Sequence, residues 1–179
     1  MSIKIIKELP LYFTLFSVDH LPEDWSDIAT RLKHNRRVIL QFFKHGSLVV
    51  ELVPFLLYNV HQAFKYNYNL LKGFEQELLL VLYGKRNFRE ALSKIGVSTN
   101  EKATILLASE STNELKEAIG ILNKEFSERG VDFKPFEEDR SLFLNIWKNI
   151  FKELDLEGIQ ADYCRVLELV KERIAISYL

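Results

Sequence analysis

Residues 74–96, FEQELLLVLYGKRNFREALSKIG, hold the clearest local structural signals of this sequence. A mostly apolar run leads to Gly84, and the pattern predicts a helix over Phe74–Tyr83 that this glycine ends. Asn87 with Glu90 three residues later forms a capping box, which predicts the start of a second helix. Gly96 follows that helix where a left-handed C-cap would lie, so we predict a positive φ at Gly96.

The rest of the chain alternates apolar runs with helical periodicity and predicts a mixed fold. Strands are predicted at 11–18, 38–43 and 103–108. Helices are predicted at 22–32, 47–67 with a break near Pro54, 111–130, 139–154 and from 162 to near the end. The predicted fold class is α/β (α+β), with a single central β-sheet of three or four strands surrounded by about seven helices. We expect one domain over residues 1–179, because a chain of this length forms one domain.

Composition excludes several classes of protein. Hydrophobic residues make up 47% of the chain and charged residues 27%, which is typical of a globular protein and not of a disordered one. The net charge of −1 excludes a uniformly basic nucleic-acid coat. No apolar run reaches the roughly 18–20 residues that span a bilayer, so we expect no membrane association and a cytoplasmic protein.

Glycine, histidine and cysteine spacing removes further kinds of site. No two of the seven glycines lie closer than ten residues, which excludes dinucleotide-binding and phosphate-binding glycine loops. None of the four histidines pairs with another at the i, i+4 spacing of a helical metal site. Cys164 is the sole cysteine, and we predict that it is a small buried hydrophobe. The sequence therefore predicts no catalytic residue, no metal and no cofactor.

Charge is unevenly distributed along the chain. Residues 31–102 contain twelve Lys and Arg against five Asp and Glu, a formal charge of +7, and the remainder carries −8. A basic segment of this kind is suited to phosphate groups, although solvated helix faces explain it equally well.

The stretch Glu77–Val97 resembles a known family, the kinase-binding small subunit of the KEOPS (EKC) complex, also called the PRPK-binding protein family. Asn87 and Phe88 replace the Gln and Ile usual in that family. Weaker likeness extends over residues 37–175, through the 38–43 strand and the last helix. The residues at the family's positions are Glu77, Gly84, Lys85, Arg86, Ala91, Leu92, Lys94, Gly96 and Val97.

This resemblance implies a function without catalysis. The complex makes the threonylcarbamoyl modification of the adenosine next to the tRNA anticodon. The small subunit would bind the N-terminal lobe of the atypical kinase/ATPase subunit and support its activity. In relatives of the archaeal type it also helps to recruit tRNA by holding the 3′ CCA end.

Two groups of residues are predicted to carry these contacts. Tyr83 is predicted to stack on a base, beside a cationic turn at the start of a helix. The predicted tRNA-binding residues are Tyr83, Lys85, Arg86, Arg89, Lys94, Lys65 and Lys72. The predicted kinase-binding residues are Leu169, Arg173, Ile176 and Leu179. The neighbouring stripe Leu167, Val170 and Ile174 is interpreted as core, with docking as the alternative.

Two other functions remain open from the sequence. One is a stand-alone hydrolase that uses His61 with a carboxylate such as Glu77. The other is a nucleic-acid-binding module unrelated to the complex, for which the cationic stretch Lys33, Arg36 and Arg37 is a further candidate.

Overall fold

One antiparallel sheet and seven helices make up the described part of the chain, which in this computed structural model is residues 3–35, 37–152 and 162–178. The strands are β1 (Lys4–Ile6), β2 (Leu11–Val18), β3 (Ile39–Lys44), β4 (Ala103–Ser109) and β5 (Phe133–Pro135). The helices are α1 (Trp25–Asn35), α2 (Val53–Lys65), α3 (Phe74–Tyr83), α4 (Phe88–Ile95), α5 (Thr112–Ser127), α6 (Arg140–Lys152) and α7 (Tyr163–Ile176). The predicted mixed α/β class is confirmed, but the sheet has five strands rather than three or four.

The chain divides into two compact units. The sheet unit comprises residues 1–45 and 97–137 and contains all five strands with α1 and α5. The helical unit comprises residues 46–96 and 138–179 and contains the other five helices of the described residues. Among the helices of the described residues, α1 and α5 share a unit with the strands. The arrangement of about seven helices around one sheet stays a prediction. The single domain over 1–179 stays a prediction.

Strands β2 and β4 form the centre of the sheet. The strand order is β1-β2-β4-β3, with β5 pairing to β2, and every pairing is antiparallel. All seven residues of β4 are buried, which explains its mostly apolar sequence. The predicted strands at 11–18, 38–43 and 103–108 are confirmed to within a residue or so, whereas β1 and β5 escaped prediction because three residues show no alternation.

Helices α1 and α5 supply the core of the sheet unit. Ile28 and Leu32 of α1 and Leu115 and Phe126 of α5 are buried in one cluster with the strands. Ser111 caps α5, because its side-chain oxygen accepts a hydrogen bond from the Glu114 N–H.

The helical unit is built around aromatic side chains of α6. Trp147 is fully buried, and its indole Nε1–H donates to the Ser47 carbonyl at 3.0 Å. The stripe Leu167, Val170 and Ile174 of α7 is also buried, which confirms its interpretation as core. Cys164 at the start of α7 is exposed, so the prediction that it is buried was wrong.

Gly96 does not have the predicted left-handed conformation. Its φ is −75° and its ψ is 176°, which is extended backbone open to any residue. The glycine is required for a different reason, because a Cβ there would lie 2.4 Å from the Leu92 carbonyl oxygen. Gly84 instead takes the left-handed conformation, with a φ of 71°.

Candidate nucleic-acid and partner interface

The turn between α3 and α4 presents the predicted cationic residues. Gly84 ends α3, and its N–H donates to the Leu80 carbonyl at 3.0 Å. Asn87 starts α4, where its side-chain oxygen accepts from the Glu90 N–H at 3.2 Å. Lys85 and Arg86 lie between these two caps, so the backbone on either side of the turn is fixed.

Tyr83 does not offer the free ring that base stacking needs. Its residue surface is 1% exposed, and its hydroxyl donates to Glu90 Oε1 at 2.6 Å. Lys85 Nζ donates to the same oxygen at 2.9 Å and lies 5.7 Å from the centre of the Tyr83 ring. These hydrogen bonds lower the pKa of the Glu90 carboxyl below its ordinary value. Tyr83 is a structural residue here, and Lys85 already has an acidic partner.

The remaining predicted tRNA-binding cations differ in exposure. Arg86 and Arg89 are exposed at the beginning of α4, where the free N–H groups of a helix favour anions. Lys65 and Lys72 are exposed at the two ends of the segment between α2 and α3. Lys94 is half-buried in the last turn of α4.

Arg173 of α7 connects two helices of the same unit and is not an exposed contact residue. Its Nη2 donates to the Tyr83 carbonyl at 2.6 Å, and the guanidinium lies 5.8 Å from the Tyr83 ring centre. It also lies 5.6 Å from the centre of the Phe151 ring. Burial lowers the pKa of Arg173. A Cβ on Gly84 would lie 2.9 Å from the Arg173 side chain, so the glycine and the arginine fit together.

The other predicted kinase-binding residues lie at the end of α7. Leu169 is half-buried, and Ile176 is 58% exposed. Leu179 lies outside the described residues. Arg86 Nη2 donates to the Tyr178 carbonyl at 3.4 Å, so the cationic turn and the end of the chain meet. Arg86, which is predicted to bind tRNA, therefore lies beside the end of α7, the helix that is predicted to bind the kinase.

Sequence reasoning missed the exposed tyrosines between α2 and α3. Tyr66 is 62% exposed, Tyr68 43% and Leu70 42%, and all three lie between Lys65 and Lys72. The signal was present in the sequence, because KYNYNLLK places two tyrosines between two lysines and contains no acid.

Of the residues offered for a hydrolase, Glu77 has other partners. Glu77 is fully buried, and its two carboxylate oxygens accept from the N–H groups of Leu70 and Leu71 at 2.9 and 2.7 Å. His61 is half-buried in α2. In the alternative cationic stretch, Lys33 is half-buried and Arg37 exposed, while Arg36 lies outside the described residues.

Two other features are absent from the described residues. Residues 3–35, 37–152 and 162–178 contain no group of three or more His, Cys, Asp or Glu placed to hold a metal ion. Within the same ranges, no helix has the length and apolar character needed to cross a bilayer.

Comparison with known proteins gives one short similarity. No family model matches the chain. A 65-residue stretch is 37% identical to interferon gamma of Mus musculus, covering 34% of this chain and 39% of that protein. The chain therefore spans about two fifths of the length of the curated relative it matches. A match of this extent shows no family membership.

Proposed function

We propose that this protein is a non-catalytic subunit of a KEOPS-type complex. It binds and supports the atypical kinase/ATPase subunit and helps to recruit tRNA through its 3′ CCA end. The proposal rests first on the resemblance of Glu77–Val97 to the kinase-binding small subunit of that complex.

The observation that carries the proposal is the role of the resembling residues in the local fold. Glu77 holds the backbone before α3, Gly84 provides the left-handed turn, and Gly96 makes room for the Leu92 carbonyl. Ala91 is fully buried in α4. At these positions the local backbone restricts which residue type fits. A match there supports the resemblance more strongly than a match of overall composition.

The surface around the turn has the chemistry for two partners. Arg86 and Arg89 are exposed cations beside the capped start of α4, which suits the phosphates of an RNA. Ile176 adds an exposed apolar side chain at the end of α7, which suits the apolar centre of a protein interface.

Charge reversal at the turn tests tRNA binding. Arg86→Glu with Arg89→Glu is sharper than a change at Lys85, because Lys85 is paired with Glu90 and its reversal would disturb the turn itself. We expect the double variant to lose at least roughly tenfold in tRNA affinity at low salt, and the loss to shrink as salt rises. Unchanged affinity at low salt would reject this site and direct attention to Lys33, Arg36 and Arg37.

Co-elution with the kinase subunit of the same organism tests the second partner. Ile176→Glu should abolish co-elution on size exclusion while the melting temperature stays constant, because the side chain is mostly exposed. Leu169→Glu tests the half-buried neighbour on the same helix. Cys164→Glu is the matched control, since Cys164 is exposed at the opposite end of α7. Co-elution retained in both Leu169→Glu and Ile176→Glu would contradict kinase docking through α7.

A further inference from the structure

The segment between α2 and α3 presents a surface that the folding of the helical unit does not explain. Three large side chains, Tyr66, Tyr68 and Leu70, are each more than two fifths exposed within five consecutive residues. Lys65 and Lys72 flank them, and we call these five residues the tyrosine surface. Contiguous exposed apolar groups of this kind are typical of binding sites.

The backbone of this surface is fixed by hydrogen bonds. The N–H of Tyr66 donates to the Gln62 carbonyl at 3.0 Å, and the N–H of Tyr68 donates to the Ala63 carbonyl at 3.0 Å. Further along, the buried Glu77 carboxylate accepts from Leu70 and Leu71. The backbone that carries the tyrosines is therefore hydrogen-bonded before a ligand binds, which lowers the entropy cost of binding.

The chemistry of the surface is that of a site for single-stranded nucleic acid. Exposed aromatic rings stack on bases of any sequence, and neighbouring cations neutralise phosphates. The Lys65 ammonium lies over the Tyr66 ring, 5.2 Å from its centre, so an aromatic ring and a phosphate partner occur together. The segment from 65 to 72 contains no acidic residue that would repel a polyanion.

The tyrosine surface is continuous with the cationic turn. The rings of Tyr68 and Tyr178 meet edge to face, with their centres 4.9 Å apart. The Tyr178 carbonyl accepts from Arg86, which lies in the turn before α4. A chain of contacts thus links the exposed rings to the exposed guanidinium of Arg86.

We propose that Tyr66 and Tyr68 stack on the bases of a single-stranded RNA end, whose phosphates pair with Lys65, Lys72 and Arg86. The inference rests on the proposed function and deepens it, because it supplies the stacking face that the buried Tyr83 cannot. Two exposed rings in one short segment suit two or three unpaired nucleotides, not a duplex.

The test uses two RNA probes and the full chain. One probe is a tRNA acceptor-stem hairpin with an unpaired 3′ CCA, and the other is the same hairpin without the CCA. We expect the chain to bind the first probe more tightly, and Tyr66→Ala with Tyr68→Ala to weaken that binding roughly 5-fold to 100-fold. The double variant should then bind both probes alike.

Matched variants separate stacking from charge and from folding. Tyr66→Phe with Tyr68→Phe keeps both ring faces and should bind like the unchanged chain. Tyr58→Ala is the control, because Tyr58 is 39% exposed in α2 and lies outside the tyrosine surface. The Tyr→Ala loss should leave the salt dependence of binding unchanged, whereas Arg86→Glu should reduce it. Tyr66→Ala alone provides the measurement if the double variant fails to fold, since Tyr66 is the more exposed ring.

The outcomes distinguish this inference from the proposed function. Preference for the CCA probe that survives Tyr66→Ala with Tyr68→Ala overturns the inference and leaves the proposed function standing. Equal binding of both probes by the unchanged chain also overturns the inference, while co-elution with the kinase still tests the subunit role. Absence of both RNA binding and kinase co-elution rejects the proposed function and the inference together.

Discussion

The sheet unit and the helical unit bury different polar groups. The polar residues that the sheet unit buries fully, among the described residues, are Thr14, Thr104 and Ser109, which carry small hydroxyls. The helical unit buries the carboxylate of Glu77 completely and most of the Arg173 side chain. Each of these charged groups binds backbone atoms at the end of a helix, Glu77 before α3 and Arg173 at the last residue of α3.

The difference shows how each unit holds its backbone in place. In the sheet unit, strand ladders satisfy the backbone N–H and C=O groups, and apolar burial supplies the stability. In the helical unit, the segments on either side of α3 have no strand neighbour among the described residues, and buried charges satisfy part of their backbone instead. The candidate binding residues lie on those segments, so the buried charges are positioning residues for the surface.

The largest expected effect is loss of the aromatic core of the helical unit. Trp147→Ala removes a fully buried ring and its hydrogen bond to the Ser47 carbonyl. We expect the free energy of unfolding to fall by about 3–5 kcal/mol, measured by chemical denaturation. Trp147→Phe keeps most of the ring volume, so its loss of unfolding free energy should be distinctly smaller. An equal loss would contradict the idea that the buried ring volume supplies this stability.

The next effect tests whether the Glu77 carboxylate fixes the tyrosine surface. Glu77→Ala leaves the Leu70 and Leu71 N–H groups without their acceptor, and we expect a loss of about 2–4 kcal/mol. Glu77→Gln keeps one acceptor oxygen and should lose less. Amide hydrogen exchange at residues 70 and 71 should rise in both variants. Unchanged exchange would remove the assigned role of Glu77.

Two glycines with the same left-handed backbone conformation, one in each unit, allow the cost of an added side chain to be compared. Gly84→Ala should cost roughly 2–3 kcal/mol, since a φ of 71° strains alanine and its Cβ would lie 2.9 Å from Arg173. Gly130→Ala at the end of α5 should cost only about 1 kcal/mol, because its φ is 68° but nothing lies within 4 Å of the added Cβ. Equal costs in thermal denaturation would show that the contact with Arg173 adds nothing.

The pH dependence of stability tests the Glu90 contacts of the turn. Hydrogen bonds from Tyr83 and Lys85 lower the pKa of Glu90 from the ordinary value of 4.5. Because the folded-state pKa is lowered, this stabilisation is complete above pH 4.5 and is lost as the pH falls below it. The stability difference between the unchanged chain and Glu90→Gln should therefore shrink in acid. Asp24→Asn is the parallel experiment in the sheet unit, where Arg129 lowers the pKa of Asp24.

The smallest expected effect has the opposite sign. Thr104 is fully buried in β4, and its hydroxyl has no hydrogen-bond partner among the described residues. Thr104→Val replaces this hydroxyl with a methyl group of similar size, so we expect a change between zero and about 1 kcal/mol in favour of folding. A clear loss of stability in urea denaturation would show that buried polar groups matter equally in the two units.

Local signals of the sequence predicted much of the helical unit. The limits of α3 agree with the prediction, and Asn87 caps α4 as expected, because caps and glycine turns depend on neighbouring residues only. The predicted left-handed conformation at Gly96 was wrong. Glycine is required both where the backbone is left-handed and where a carbonyl group comes close, and the sequence does not distinguish these two reasons. Exposure was also hard to predict, as Tyr83 and Cys164 show, because it depends on residues far away in the chain.

The sequence by itself determined the mixed fold class, the three long strands and several helix ends, because hydrophobic periodicity and capping act over a few residues. It did not determine how charge is distributed in space. The basic segment 31–102 is divided between the units, and the helical unit contains twelve Lys and Arg against twelve Asp and Glu. Only the tertiary structure decided that Arg173 is held against Tyr83 and that Arg86 and Tyr68 both contact Tyr178. These contacts join residues up to about 110 positions apart, which no local pattern can specify.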